Sequence, residues 1–186
     1  MAAAVIILCL TLPATAATAQ KTPKPLRIVS LSPAITESLY LLGLGDNIIG
    51  VTTYCNKPGQ ARTKEKVGTV MQPNLERILK LRPDLVLAMT LTDPKSIQKM
   101  KELGLNIVTF AIADTFSDLC DVFLQIGKTT GRSEEAARLV NTARARVDDI
   151  RHRTARLPKP GVLVQIGSRP FFVATKDVFM NDFIEF

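Results

Sequence analysis

From Arg27 onward, apolar residues follow two alternating rhythms along the chain. Short apolar runs of strand length occupy residues 27–31, 48–53, 84–89 and 106–110. Between them, apolar residues recur three and four apart, the spacing that gathers side chains on one face of a helix. Ile35, Leu39 and Leu42 carry the first such face, Leu75, Ile78 and Leu79 the second, and Ile97, Met100 and Leu103 the third. The boundaries have chemical reasons. Ser32 and Asp93 are N-cap residue types, each followed by a proline whose missing N–H is not needed in a first turn. Asn74 caps the middle helix, which ends before Pro83, and Gly43 and Gly104 supply stops for the other two. Strands alternating with helices over short connections predict a parallel sheet covered on both faces, spanning residues 25–113.

The rhythm then changes. Residues 115–131 read as a lobe-covering helix and a break, with Phe116, Leu119, Phe123 and Ile126 inward and the break at Gly131-Arg132. Ser133 caps a long helix over residues 133–156, whose apolar positions are Val140, Ala143, Val147 and Ile150. At 1.5 Å per residue it reaches roughly 30 Å, which suits a strut between two lobes. An ordinary covering helix fits the same pattern. Residues 161–186 begin a second α/β lobe: a strand over 162–166, an extended piece over 171–174 and the start of a helix from 177. Two strands and part of a helix do not complete such a layer. Phe171, Phe172, Phe179, Phe183 and Phe186 would lack much of their core, so this C-terminal lobe is expected to be incomplete. The expected fold class is α/β: a Rossmann-like parallel-sheet lobe, a long interlobe helix and the start of a second α/β lobe.

The N-terminus has a different character. Residues 2–12 are nearly unbroken apolar sequence, followed by Pro13 and a run of small residues. Ala17-Thr18-Ala19 before Gln20 has the small-x-small form of a signal-peptidase site. The run is shorter than the roughly 20 residues a membrane span needs. Residues 1–19 are therefore expected to be a signal peptide, although no Lys or Arg precedes the run, which points to a true start codon further upstream. Cys9 follows Leu8 rather than a small residue, so it does not read as a lipid anchor. Export permits a disulfide between Cys55 and Cys120; two separate buried thiols fit the sequence equally.

Composition narrows the function. The chain has 186 residues and a net charge of +7, but its Lys and Arg are scattered and no nucleic-acid-binding signature accompanies them, so no nucleic-acid partner is expected. The single histidine, His152, lies between Arg151 and Arg153 on a charged helix and reads as a surface residue. With no second histidine and no CxxC pair, no metal site is expected. The first strand-to-helix turn is Leu31-Ser32-Pro33-Ala34, not a glycine-rich phosphate cradle, and no nucleophile elbow or carboxylate cluster occurs. No catalytic residue is assigned.

Four stretches, in order, resemble the helical-backbone periplasmic solute-binding proteins of ABC importers, which serve uptake of cobalamin, haem and ferric siderophores. They are residues 27–37 (RIVSLSPAITE), 49–56 (IGVTTYCN), 73–78 (PNLERI) and 81–88 (LRPDLVLA). The resemblance runs from Arg27 to the C-terminus, and residues 162–172 are similar to the first strand pair of the family's second lobe. It implies two lobes joined by one long helix, a ligand held between them, a periplasmic location, a monomer and no catalysis. It places Ser32, Pro33, Ala34, Tyr54, Val70 and Met89 on the first-lobe wall and Arg169, Phe171 and Phe172 at the edge of the second. Val70 and Met89 stand where a cobalamin binder of the family has tryptophans, and this chain has no Trp. Glu76 matches a glutamate that meets an arginine of the membrane permease. The implied ligand is a small metal chelate: a corrinoid, or alternatively a ferric siderophore or haem, for which Arg62, Lys64 and Lys66 would offer cationic partners. Cobalt or iron would belong to the ligand, and no cofactor is implied. A non-functional truncated product is the remaining alternative.

Overall fold

The computed structural model describes residues 26–174 and 179–185. The expected signal peptide lies outside the described residues, as does Phe186. Five strands form one sheet: β1 (Ile28–Ser30), β2 (Ile48–Val51), β3 (Glu65–Lys66), β4 (Leu85–Met89) and β5 (Ile107–Phe110). Their order is β3-β2-β1-β4-β5, with every neighbouring pair parallel. Side-chain alternation along the strands divides the core in two. Ile28, Leu85 and Leu87 enter one layer, where α1 (Pro33–Leu41), α4 (Phe116–Thr129) and the start of α5 (Ser133–Thr154) meet them through Ile35, Leu39, Ile126 and Ala136. Val29, Val86 and Ala88 enter the other, against Ile78 of α2 (Leu75–Leu81) and Met100 of α3 (Pro94–Glu102).

The four strands read from the sequence are present, and β3 joins them. It is two residues long, polar, and pairs with β2 alone at the sheet edge. An edge strand needs only one partner, so nothing requires an apolar run there. Chain order runs outward from β1 through β2 to β3, then returns to β4 and β5 on the other side. The direction of winding therefore reverses between β1 and β4. In open parallel sheets ligands bind beyond the strand carboxyl ends at this reversal.

The caps act largely as the sequence indicates. Asn74 Oδ1 accepts the Arg77 amide at 3.0 Å, and Asp93 Oδ2 accepts the Ser96 amide at 2.8 Å. Thr115 and Asp118 form a reciprocal capping box at the start of α4. Ser32 occupies the cap position of α1, but its side chain makes no capping bond. Ser133 is the first residue of α5 rather than its cap; Arg132 holds the cap position without a side-chain bond. Leu119, expected inward, is exposed, because the inward face of α4 runs through Cys120, Phe123 and Ile126. Leu103 is likewise exposed, at the C-cap of α3. Cys55 and Cys120 are both buried free thiols.

The second half of the chain is more open. α5 is buried at Ala136 and Val140, but Ile150, further along, is exposed. An antiparallel hairpin follows, β6 (Gln165–Ser168) and β7 (Phe171–Val173). The strand expected over 162–166 is thus shifted toward the Arg169-Pro170 turn. Phe171 is 64% exposed and Phe172 nearly as much. In α6 (Phe179–Glu185), Phe179 and Phe183 stack edge to face with centroids 5.0 Å apart. Asp182 on the same helix accepts the Phe116 amide at 2.6 Å. Among the described residues no helix is long and apolar enough to cross a membrane.

Candidate functional site: the carboxyl edge of the sheet

All five strands of the parallel sheet end on one edge, and each of the six first-lobe positions singled out in the sequence lies at a strand's carboxyl end or shortly after it. Ser32, Pro33 and Ala34 follow β1 at the winding reversal; Ser32 is buried, Pro33 half-buried and Ala34 exposed. Tyr54 follows β2, Val70 follows β3 and Met89 is the last residue of β4. Tyr54 is 63% exposed, whereas Val70 and Met89 are half-buried.

The same edge carries three apolar residues that the sequence reading passed over. Met71 lies after β3, Leu91 after β4 and Ile112 after β5; they are 58%, 50% and 51% exposed. Their signal was position: each is a large apolar residue a few places past a strand, where side chains leave the core. A row of exposed apolar and aromatic groups along one sheet edge suits the wall of a pocket for a flat, largely apolar ligand.

Main-chain bonds fix these loops relative to one another. The Thr53 amide donates to Gly68 O at 2.9 Å, and the Asp93 amide to Met71 O at 3.1 Å. The turn over residues 68–73 closes so tightly that a Cβ on Gly68 would stand 2.7 Å from both Gln72 O and the Asn74 nitrogen. With φ at +103°, that position requires glycine.

Beneath the wall lies a buried polar cluster. Thr36 Oγ1 stands 2.8 Å from Ser30 Oγ, 3.0 Å from Ser32 O and 3.2 Å from Cys55 Sγ. Thr52 Oγ1 and Cys55 Sγ are 3.1 Å apart, and Ser30 Oγ donates to Ser32 O at 3.1 Å. Arg62, Lys64 and Lys66 each donate to main-chain carbonyls. Arg62 Nε donates to Asn56 O, Lys64 Nζ to Gly45 O, and Lys66 Nζ to both Cys55 O and Ala61 O. All three thereby staple stretches of main chain.

Glu76 stands exposed in the first turn of α2, where the helix N-terminus favours a carboxylate. Arg169 is in the β6–β7 turn, and Phe171 and Phe172 lie on β7. His152 is exposed in the last turn of α5.

A doubly wound lobe with an apolar wall at its winding reversal, leading through a long helix into a second strand pair, has the fold of the helical-backbone class of binding proteins. Residues 28–185 match the model of the periplasmic binding protein family, and the chain belongs to that family. It is 35% identical over 174 residues to the uncharacterized ABC transporter substrate-binding lipoprotein YvrC of Bacillus subtilis, covering 90% of this chain and 54% of that protein. It is 31% identical over 160 residues to a vitamin B12-binding protein of Photorhabdus laumondii, covering 85% of this chain and 58% of that one. Among solved structures, the vitamin B12-binding protein BtuF of Vibrio cholerae superposes with a TM-score of 0.71 at 27% identity, over 84% of this chain and 61% of BtuF. The chain thus spans somewhat over half the length of these relatives.

Proposed function

We propose that the chain is the solute-capturing component of an ABC importer, exported to the periplasm, and that it binds a corrinoid without catalysing a reaction. The observation that carries this reading is the row Tyr54, Met71, Leu91 and Ile112 along the carboxyl edge, exposed in a lobe whose other apolar residues are mainly core. Tyr54 supplies the flat contact, and Val70 and Met89 supply apolar surface beside it. Ser32, Pro33 and Ala34 form the floor at the winding reversal. Arg169, Phe171 and Phe172 form the near edge of the facing wall. Glu76, exposed in the first turn of α2, docks the membrane permease. The protein acts as a monomer, and the metal it handles belongs to its ligand. The vitamin B12-binding relatives support the corrinoid reading.

Calorimetric titration with cyanocobalamin, cobinamide, haemin and a ferric siderophore tests the reading. Binding of the first two is expected, with Tyr54→Ala weakening it about tenfold, the scale of one lost aromatic contact. Tyr54 is largely exposed, so the melting temperature should hardly move. Binding of haemin or the ferric chelate, with cyanocobalamin ignored, overturns the corrinoid assignment. Glu76→Lys should leave binding intact and lower uptake in cells; unchanged uptake removes the docking role.

A further inference from the structure

We propose that Thr36, Cys55 and Lys66 are positioning residues for ligand capture, holding the Tyr54 loop in register with the Ser32 turn; this rests on the carboxyl-edge reading above. Tyr54 is 63% exposed, so little around its ring fixes the ring, and its aim depends on the backbone beside it. That backbone is held at Cys55 through three of the residue's own atoms. The Cys55 amide donates to Thr52 O at 3.1 Å, its carbonyl accepts from Lys66 Nζ at 3.1 Å, and its sulfur lies between Thr36 Oγ1 and Thr52 Oγ1. Thr36 also reaches Ser32 O. One hydroxyl, fully buried on α1, therefore touches the loops after β1 and after β2. Cys55 is itself fully buried, a setting that apolar packing alone would satisfy. The polar contacts add direction, which packing lacks.

The roles of shape and hydroxyl separate cleanly at Thr36. Thr36→Val keeps the shape and loses the hydroxyl; Thr36→Ser keeps the hydroxyl and loses a methyl. Lys66→Met, at a part-buried site on the edge strand, removes the ammonium and leaves the core untouched. Only two tyrosines occur in the sequence, Tyr40 and Tyr54. Fluorotyrosine incorporated into the full chain therefore gives two fluorine resonances, assigned with Tyr40→Phe.

In Thr36→Val and Lys66→Met, the Tyr54 resonance should shift and narrow as its loop loosens, and cyanocobalamin affinity should fall about fivefold, the scale of one net hydrogen bond. Thr36→Ser should stay within about twofold of wild type. A packing role predicts the reverse order, with Thr36→Ser the more damaging. That order, or an unchanged Tyr54 resonance in both Thr36→Val and Lys66→Met, overturns the proposal. If the wild-type chain ignores cyanocobalamin, the corrinoid reading falls and the fluorine signal alone decides the positioning role. Should Thr36→Val fail to fold, Lys66→Met carries the test.

Discussion

The carboxylate of Asp182 accepts the backbone amide of Phe116 at 2.6 Å, joining residues 66 positions apart in the chain. Phe116 is the first residue of α4, so its amide is among the N–H groups that a helix leaves without an internal partner. A carboxylate there also meets the positive end of the helix dipole. The contact ties α6, in the second half of the chain, to the first lobe. Asp182→Ala is expected to destabilise by about 1 kcal/mol and to speed amide exchange at Phe116 while leaving exchange on β1 and β4 unchanged. Uniform acceleration across the sheet would mean that Asp182 supports the whole fold rather than this junction.

Asp93 gives a pH signature. Its carboxyl is held below the usual carboxylate range, first by the hydroxyl of Ser96 and then by the Ser96 amide. A group whose folded-state pKa is lowered contributes stability above its ordinary value, near pH 4, and loses it as pH falls through the folded value. The gap in melting temperature between wild type and Asp93→Ala should therefore be steady between about pH 5 and 8 and narrow only below about pH 4. A gap that stays constant in acid would assign the effect to the cap geometry rather than to the charge.

Much of the first lobe was legible because local chemistry and tertiary packing agree there. At Asn74 and Asp93 a capping side chain coincides with the start of an apolar helical face, and both cap as read. Where the two levels separate, the sequence misleads. β3 is Glu-Lys, and its partner β2 creates it through main-chain bonds that leave no mark on side-chain pattern. Leu119 has helical spacing to Phe116 and Phe123, but α4 rotates to bury Cys120 and Gly127, so that α5 can approach. At the candidate site, Tyr54 was visible through its loop motif. Met71, Leu91 and Ile112 were not, since an apolar residue carries no sign of whether it faces core or cleft until the loops are placed.

The hairpin and α6 expose apolar side chains that would ordinarily be covered. Leu163, Ile166, Phe171 and Phe172 are all largely exposed, as is Phe183 on α6. The 186-residue chain is therefore expected to bind the dye ANS, and Phe171→Ser with Phe172→Ser should cut the fluorescence substantially without lowering the melting temperature. Tight cyanocobalamin binding with no dye response would show that these side chains are covered in solution.

The sharpest packing test lies where α4 meets α5. A Cβ built on Gly127 collides with the Cβ of Ala136, and would also come within 3.1 Å of Arg132 O. Both neighbours are rigid: one is the root of a side chain, the other main chain. Gly127 sits in the last turn of α4, and Ala136 in the first turn of α5, fully buried. Replacing a helical glycine by alanine normally gains about 1 kcal/mol from backbone entropy. Overpacking a close-packed contact costs about 1–3 kcal/mol. With no flexible atom to yield, the second effect should win. Gly127→Ala is thus expected to destabilise, against the usual helical trend. Ala136→Gly in the same chain should recover much of the loss, because the two substitutions exchange which helix carries the methyl. Denaturant melts of the two single variants and the double variant measure the coupling. A stabilised Gly127→Ala, or a double variant whose loss equals the sum of the singles, would mean that α4 and α5 stand further apart than this crossing.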